Sequence, residues 1–320
     1  MRALRATFTT TLAGALAALL AGTGESAAGA GEQGRWQPPL NARWQYQLES
    51  ANSALASSGG IDVDICTVPP AGGGCVRPDA FDIDLYVDGR VAQDNHTINT
   101  AAVEAIHDRG ARAICYLSAG TAERFRPDYD RYVGFDRRHH HSLIGRPFSS
   151  RFSNEFWLNI GNSHGQRDFI LRRVESRTEK CARADFDGVE YDVVDAYAHG
   201  RKVTGWRIRP HTQLVFNRAL ARIAHRNGLS VALKNDLGQL ERLEPHFDYA
   251  INEQCFQYHE CTTNPPPGYR TFIREGKAVF QVEYGIPRSR FCDRGAALGT
   301  SSIRKAGDYS LNARPWKPCR

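Results

Sequence analysis

The stretch Phe186-Asp187-Gly188-Val189-Glu190-Tyr191-Asp192-Val193-Val194-Asp195 places four acids in ten residues that otherwise read as a buried β-strand. Val189, Tyr191 and Val193 alternate, which gives the strand one apolar face. Gly188, Glu190 and Asp192 share the opposite face, because side chains along a strand repeat every two residues. A carboxylate on a buried face is unfavourable unless it is paired or used. Two on one face, near the end of the strand, mark a candidate site. Asp187 and Asp195 fit equally well as caps of neighbouring elements or as partners of basic side chains.

Working outward, strand-like and helix-like segments alternate on both sides. Trp44-Gln-Tyr-Gln-Leu48 reads as a first strand and Phe81-Asp-Ile-Asp-Leu-Tyr-Val87 as a second, with Asp82, Asp84 and Tyr86 on one face. Thr97–Arg109 reads as an amphipathic helix closed by Gly110, and Arg112–Ser118 as a third strand. A long segment from Ala119 to about Ile160 reads as loop, and a loop of that length in a compact domain is usually functional. Gln166–Arg183 and His211–Asn227 read as helices flanking the fourth strand and preceding the fifth, Leu229–Asn235, which puts Ser230, Ala232 and Lys234 on one face. Phe247–Glu253 and Lys277–Tyr284 read as the sixth and seventh strands, and Asp308–Asn312 is the candidate eighth. Strand and helix alternating eight times over about 285 residues predicts a single-domain (β/α)8 TIM barrel, with a doubly wound sheet as the alternative. In a barrel the working residues sit at the C-terminal ends of the strands. Asp84, Tyr116, Ser118, Asp192, Lys234, Asn235, Glu253 and Glu283 fall there.

The 320 residues carry 41 Lys and Arg against 35 Asp and Glu, a formal charge of +6. The basic residues form no dense run with interleaved aromatics, so a nucleic-acid partner is not expected. Residues 1–30 read as a signal peptide: Arg2 and Arg5, an apolar run from Leu12 to Ala21 too short to span a bilayer, then Ala28-Gly-Ala30. The mature chain is then residues 31–320, exported, with no membrane association once the signal is cleaved; a retained anchor is the alternative. Eight cysteines without a CxxC pair suit an oxidising compartment better than a zinc site. Cys66 with Cys75 and Cys255 with Cys261 flank short loops and read as local disulfides. Cys292–Cys319 is a plausible third bridge. Cys115 and Cys181 are either bridged or buried thiols.

The chemistry narrows by exclusion. Ser118 lies in no GxSxG setting, and no glycine-rich phosphate loop precedes a helix. The run His139-His140-His141 cannot converge on one metal, and no His lies at a strand end, so no metal and no cofactor are expected. Acid/base or nucleophilic work by paired carboxylates remains, with Tyr and Trp side chains available to stack on sugar faces.

Several motifs in order then make the chain resemble glycoside hydrolase family 114, the endo-α-1,4-polygalactosaminidase family. They are Trp44-Gln-Tyr-Gln-Leu48, Asp82-Ile-Asp-Leu85, Ile114-Cys-Tyr-Leu-Ser-Ala-Gly120, Phe186-Asp-Gly-Val-Glu-Tyr-Asp192, Leu233-Lys-Asn235, Ile251-Asn-Glu-Gln-Cys-Phe256 with Glu260-Cys261, and Val282-Glu-Tyr284. The resemblance covers about residues 36–290 and implies a secreted (β/α)8 barrel acting on a polysaccharide, expected here to be monomeric. It implies a catalytic acid on the fourth strand and one on the sixth, which are Asp192 and Glu253. Strand parity alone leaves the facing of Glu253 open, since Tyr249 and Ile251 share it. Where the family often has Pro-Asp-Asn, this chain has Tyr191-Asp192-Val193. Around the pair, Asp82, Asp84, Tyr116, Asp195, Lys234, Asn235 and Glu283 are the expected substrate contacts. Carboxyls about 5 Å apart imply retention of configuration and wider spacing implies inversion. The shorter gap is expected, with Asp192 as nucleophile, Glu253 as acid/base and Lys234 holding the ionised partner. The alternatives are a non-catalytic carbohydrate-binding barrel or a hydrolase of a different glycan.

Overall fold

The computed structural model describes residues 34–50, 53–68, 73–263 and 266–320. The expected signal peptide lies outside the described residues. Eight parallel strands run in chain order around a barrel: β1 (Trp44–Gln47), β2 (Ala80–Asp84), β3 (Arg112–Ser118), β4 (Gly188–Asp192), β5 (Ser230–Lys234), β6 (Tyr249–Glu253), β7 (Val279–Glu283) and β8 (Ser301–Arg304). Helices lie on the outer face, among them α1 (Thr100–Asp108), α2 (Tyr129–Arg138), α3 (Gln166–Arg183) and α4 (Pro210–Arg226). Each turns an apolar stripe inward, as Ile170, Val174 and Cys181 do on α3 and Leu214, Leu220 and Ala224 on α4. Pro210 opens α4 with its φ already helical. The fold is the (β/α)8 barrel read from the sequence.

The barrel interior is layered. At its base Trp44 stacks on Phe280 with ring centroids 5.2 Å apart, and Tyr249 meets Phe280 edge-on at 5.8 Å. Gly188 faces these rings, and a Cβ there would collide with the Tyr249 hydroxyl and the Ser230 side chain. Tyr46, Asp82, Glu190 and Lys234 form the next layer. Asp192, Tyr116 and Glu253 form the rim.

The eighth strand is Ser301–Arg304, not residues 308–312. The Asp308 carboxylate accepts hydrogen bonds from the Ser310 amide and hydroxyl, which turns the chain there. The turned segment instead packs along the seam between β1 and β8. Leu311 O accepts from Leu48 N, Ala313 O from Gln45 Nε2, and Trp44 O from Trp316 Nε1. A short strand β9 (Lys317–Pro318) then pairs antiparallel with β8. The seam also holds Lys305, buried, with its Nζ 3.0 Å from Gln45 Oε1 and 2.6 Å from Asn312 O.

The segment after β3 is structured rather than loop. It builds a three-stranded antiparallel sheet from Thr121–Glu123, Ile144–Pro147 and Glu155–Leu158, with α2 inserted. The Asp136 carboxylate ties α2 to it through the amides of Leu143 and Ile144. All eight cysteines pair: Cys66–Cys75, Cys115–Cys181, Cys255–Cys261 and Cys292–Cys319. Cys115 points outward from β3 to α3. That bridge closes a loop of 66 residues, for which chain entropy gives about 4 kcal/mol.

Candidate active site

An open cleft of about 930 Å³ lies over the C-terminal ends of the strands, at the large end of the range for small-ligand sites. Its floor holds Tyr46, Tyr116, Asp192, Lys234, Asn235 and Glu253. Phe125, Phe148 and Phe152 from the segment after β3, and Tyr309 opposite, supply aromatic walls. Nine lining residues are Asp or Glu against three Lys or Arg, so the cleft is acidic on a basic chain.

One ammonium organises the floor. Lys234 Nζ lies 2.6 Å from Glu190 Oε1, 3.0 Å from Asp192 Oδ1 and 3.4 Å from Glu253 Oε2, and donates to Tyr46 OH at 3.2 Å. Burial alone would lower its pKa; the charges of Asp192, Glu190 and Glu253 outweigh that and raise it well above the usual value. Asp192 is the converse case. Burial would raise its pKa, but the Lys234 charge and the Tyr116 hydroxyl, 2.8 Å from Oδ2, hold it below the usual range. Asp192 is therefore ionised.

Glu253 is placed from three sides. Its backbone amide donates to Asn235 Oδ1 at 3.0 Å, Lys234 lies against one carboxylate oxygen, and the Tyr284 hydroxyl donates to the other. Tyr249, Ile251 and Glu253 all face the lumen, so simple alternation is enough and no bulge is needed. The Cys255–Cys261 bridge begins two residues beyond.

The cleft gathers Asp84, Tyr116, Asp192, Asp195, Lys234, Asn235 and Glu253. Asp84 is held by a two-pronged pairing with Arg126, at 2.6 and 2.7 Å. Asp195 pairs with His199 at 3.2 Å. Asp82 and Glu283 depart from the expected substrate contacts. Asp82 faces the lumen one layer too deep and is fully buried. Burial, then the adjacent Glu190 charge, push its carboxyl well above the usual range. Glu283 points out of the barrel, because Phe280 and Tyr284 of the other parity face inward. It accepts from the amide of Phe256 at 2.9 Å and from Gln281 Nε2 at 2.7 Å, and so anchors the loop after β6.

Four further residues join the site: Tyr46, Glu190, Tyr284 and Glu155. Glu190 was visible as the parity mate of Asp192. Tyr284 follows from the same alternation once Phe280 is matched to Trp44. Glu155, carried by the antiparallel sheet, had no signal in its local sequence.

Among solved structures, Aspergillus fumigatus Ega3 in complex with galactosamine aligns with a TM-score of 0.65 and 25% identity, over 89% of this chain and 98% of its own. The glycoside hydrolase domain of PelA from Pseudomonas aeruginosa aligns with a TM-score of 0.52 and 12% identity, over 87% and 98%; at that identity the likeness concerns the fold alone. A search of curated sequences returns no match. Barrel and cleft agree with these likenesses in fold, and the class of enzyme follows from the family. The sequence profile of glycoside hydrolase family GH114 matches residues 25–317, which is nearly all of the chain. The chain belongs to glycoside hydrolase family 114.

Proposed function

We propose that the protein is a secreted, retaining endo-glycosidase that hydrolyses α-1,4 linkages in galactosamine polymers, with Asp192 as nucleophile and Glu253 as acid/base. The observation that carries this reading is the sharing of Lys234 by the two carboxylates. Their nearest oxygens lie 3.0 and 3.4 Å from one nitrogen, so they are at most 6.4 Å apart, the sum of those distances. Carboxyl groups that share one ammonium fit the about 5 Å of direct attack better than the about 6.5–9.5 Å that inverting enzymes leave for a water.

In the first step Asp192 attacks the anomeric carbon while Glu253 gives its proton to the departing glycosidic oxygen. In the second, Glu253 takes a proton from water as that water displaces Asp192. The Tyr116 and Lys234 contacts that keep Asp192 ionised suit the nucleophile's role. The acidic cleft suits a polymer of protonated amino sugars, and Ega3, the neighbour at 25% identity, was solved with galactosamine. Four disulfides and the signal-like residues 1–30 support export. Among the described residues no helix is long and apolar enough to cross a membrane.

Asp192→Asn and Glu253→Gln are each expected to cut turnover at least ~100-fold while leaving the fold intact. Release of reducing ends from de-N-acetylated galactosamine polymer measures this, and NMR of the nascent product should give the α anomer. A β product, or near-wild-type rates in either variant, removes the assigned roles. Binding without new reducing ends, or cleavage of other glycans only, removes the activity itself.

A further inference from the structure

Glu155 stands directly opposite Glu123 across the antiparallel pair formed by Thr121–Glu123 and Glu155–Leu158. Like charges in that position repel. The surroundings resolve the conflict for only one of them. Glu123 is buried, with its two oxygens 2.8 and 2.9 Å from Arg126 nitrogens and Arg177 a further 3.6 Å away. Arg126 also engages both oxygens of Asp84, and Arg177 both oxygens of Asp128 at 3.1 and 2.6 Å. The neighbouring cations are thereby occupied.

Glu155 instead faces the cleft on the Asp192 side. Among the described residues no cation lies within ion-pairing distance of it. Its hydrogen bond is from the Thr121 hydroxyl, a long one at 3.4 Å, and that hydroxyl is also 2.6 Å from Ser118 Oγ. Burial first, then the charges of Glu123 and Asp192, outweigh the Arg126 charge, which acts from beyond ion-pairing distance, and push its carboxyl up to about 8. Such a group lacks a positive partner, and the open side from which one can come is the substrate cleft.

We propose that Glu155 is a specificity-determining residue: it receives the ammonium of a hexosamine seated beside Asp192 and selects the free amine against the N-acetylated sugar. An ammonium brings a positive charge and three N–H donors, and beside it the carboxyl ionises and accepts from them. An acetamide brings one N–H, a methyl group and no charge, and leaves the carboxyl without a cationic partner. The inference rests on the galactosamine reading above and names the side chain that would enforce it.

The test is the ratio of two affinities. Galactosamine and N-acetylgalactosamine are titrated by calorimetry into wild-type protein, Glu155→Gln and Glu155→Asp. The wild type is expected to prefer the amine at least about ten-fold, the usual worth of one hydrogen bond to a charged group. Glu155→Gln should abolish the preference by weakening galactosamine alone, and Glu155→Asp should keep part of it. A merely structural role would weaken both sugars together. The inference is overturned if Glu155→Gln keeps the preference, or if the wild type has none. Amine-selective binding without turnover supports the inference while removing the proposed activity. Turnover of the polymer without an amine preference does the reverse.

Discussion

Lys234 is the residue on which the site's electrostatics turn. It is buried and within ion-pairing distance of Glu190, Asp192 and Glu253. Removing one partner of a buried pair typically costs about 3–5 kcal/mol, because the remaining charge is stranded. Lys234→Met is therefore expected to destabilise the protein by about that amount at pH 7 in urea unfolding. The loss should be smaller at pH 5. Without the ammonium, the folded-state pKa of Asp192 rises above its unfolded value, and that of Glu190, already raised by burial, rises further. The folded chain then binds the extra protons, and stability falls as pH increases. An equal loss at both pH values would contradict the arrangement. Asp192 and Lys234 were legible because period-two alternation on β4 and β5 fixes their facing without help. Glu283 was chosen for its place at the end of its strand without a facing, and in the strand Val279–Glu283 either parity is plausible until the partner of Trp44 is known. Glu155 was out of reach altogether. Its approach to Asp192 depends on how an inserted sheet folds back over the rim, which its own strand does not encode.

At the scale of elements, the three strands that carry Asp192, Lys234 and Glu253 end alike. Val193 after β4, Asn235 and Asp236 after β5, and Gln254 after β6 all take positive φ, at 58°, 48°, 46° and 64°. None is glycine, and strained backbone of this kind gathers at functional sites. Val193 is the least suited, since a β-branched side chain in the left-handed region costs about 1–2 kcal/mol. Its carbonyl also lies against Gly120, where a Cβ would collide with it. Asparagine tolerates this conformation better, which gives a physical sense to the Asn that the family often has there. Val193→Ala loses buried surface and keeps the strain; Val193→Asn relieves part of it. The Asn variant is expected to be more stable than the Ala variant by about 1 kcal/mol, compared by urea unfolding. The order of strands and the long helices were readable from periodicity. The sheet formed by Thr121–Glu123, Ile144–Pro147 and Glu155–Leu158 was not, because strands of three or four residues are too short to show a period.

At the scale of the molecule, the barrel is closed by its own C-terminal segment. Residues 311–318 and Lys305 fill the seam between β1 and β8, and Cys292–Cys319 fastens it. Burial pulls the Lys305 ammonium down to about 7, so between there and its ordinary value near 10.4 the unfolded chain binds a proton that the folded chain does not. Stability contributed at this position is therefore least below pH 7 and rises as pH increases. Lys305→Met should flatten the slope of unfolding free energy between pH 7 and 9, and an unchanged slope would exclude the assignment. The seam also has a consequence for biosynthesis. Trp44 and the Trp316 that seals it are 272 residues apart. At ~5–20 residues per second, a ribosome needs about 15–50 s to travel between them. Throughout that interval the segment that covers the free edge of β1 has yet to be made, so the seam is locked only when synthesis reaches its end.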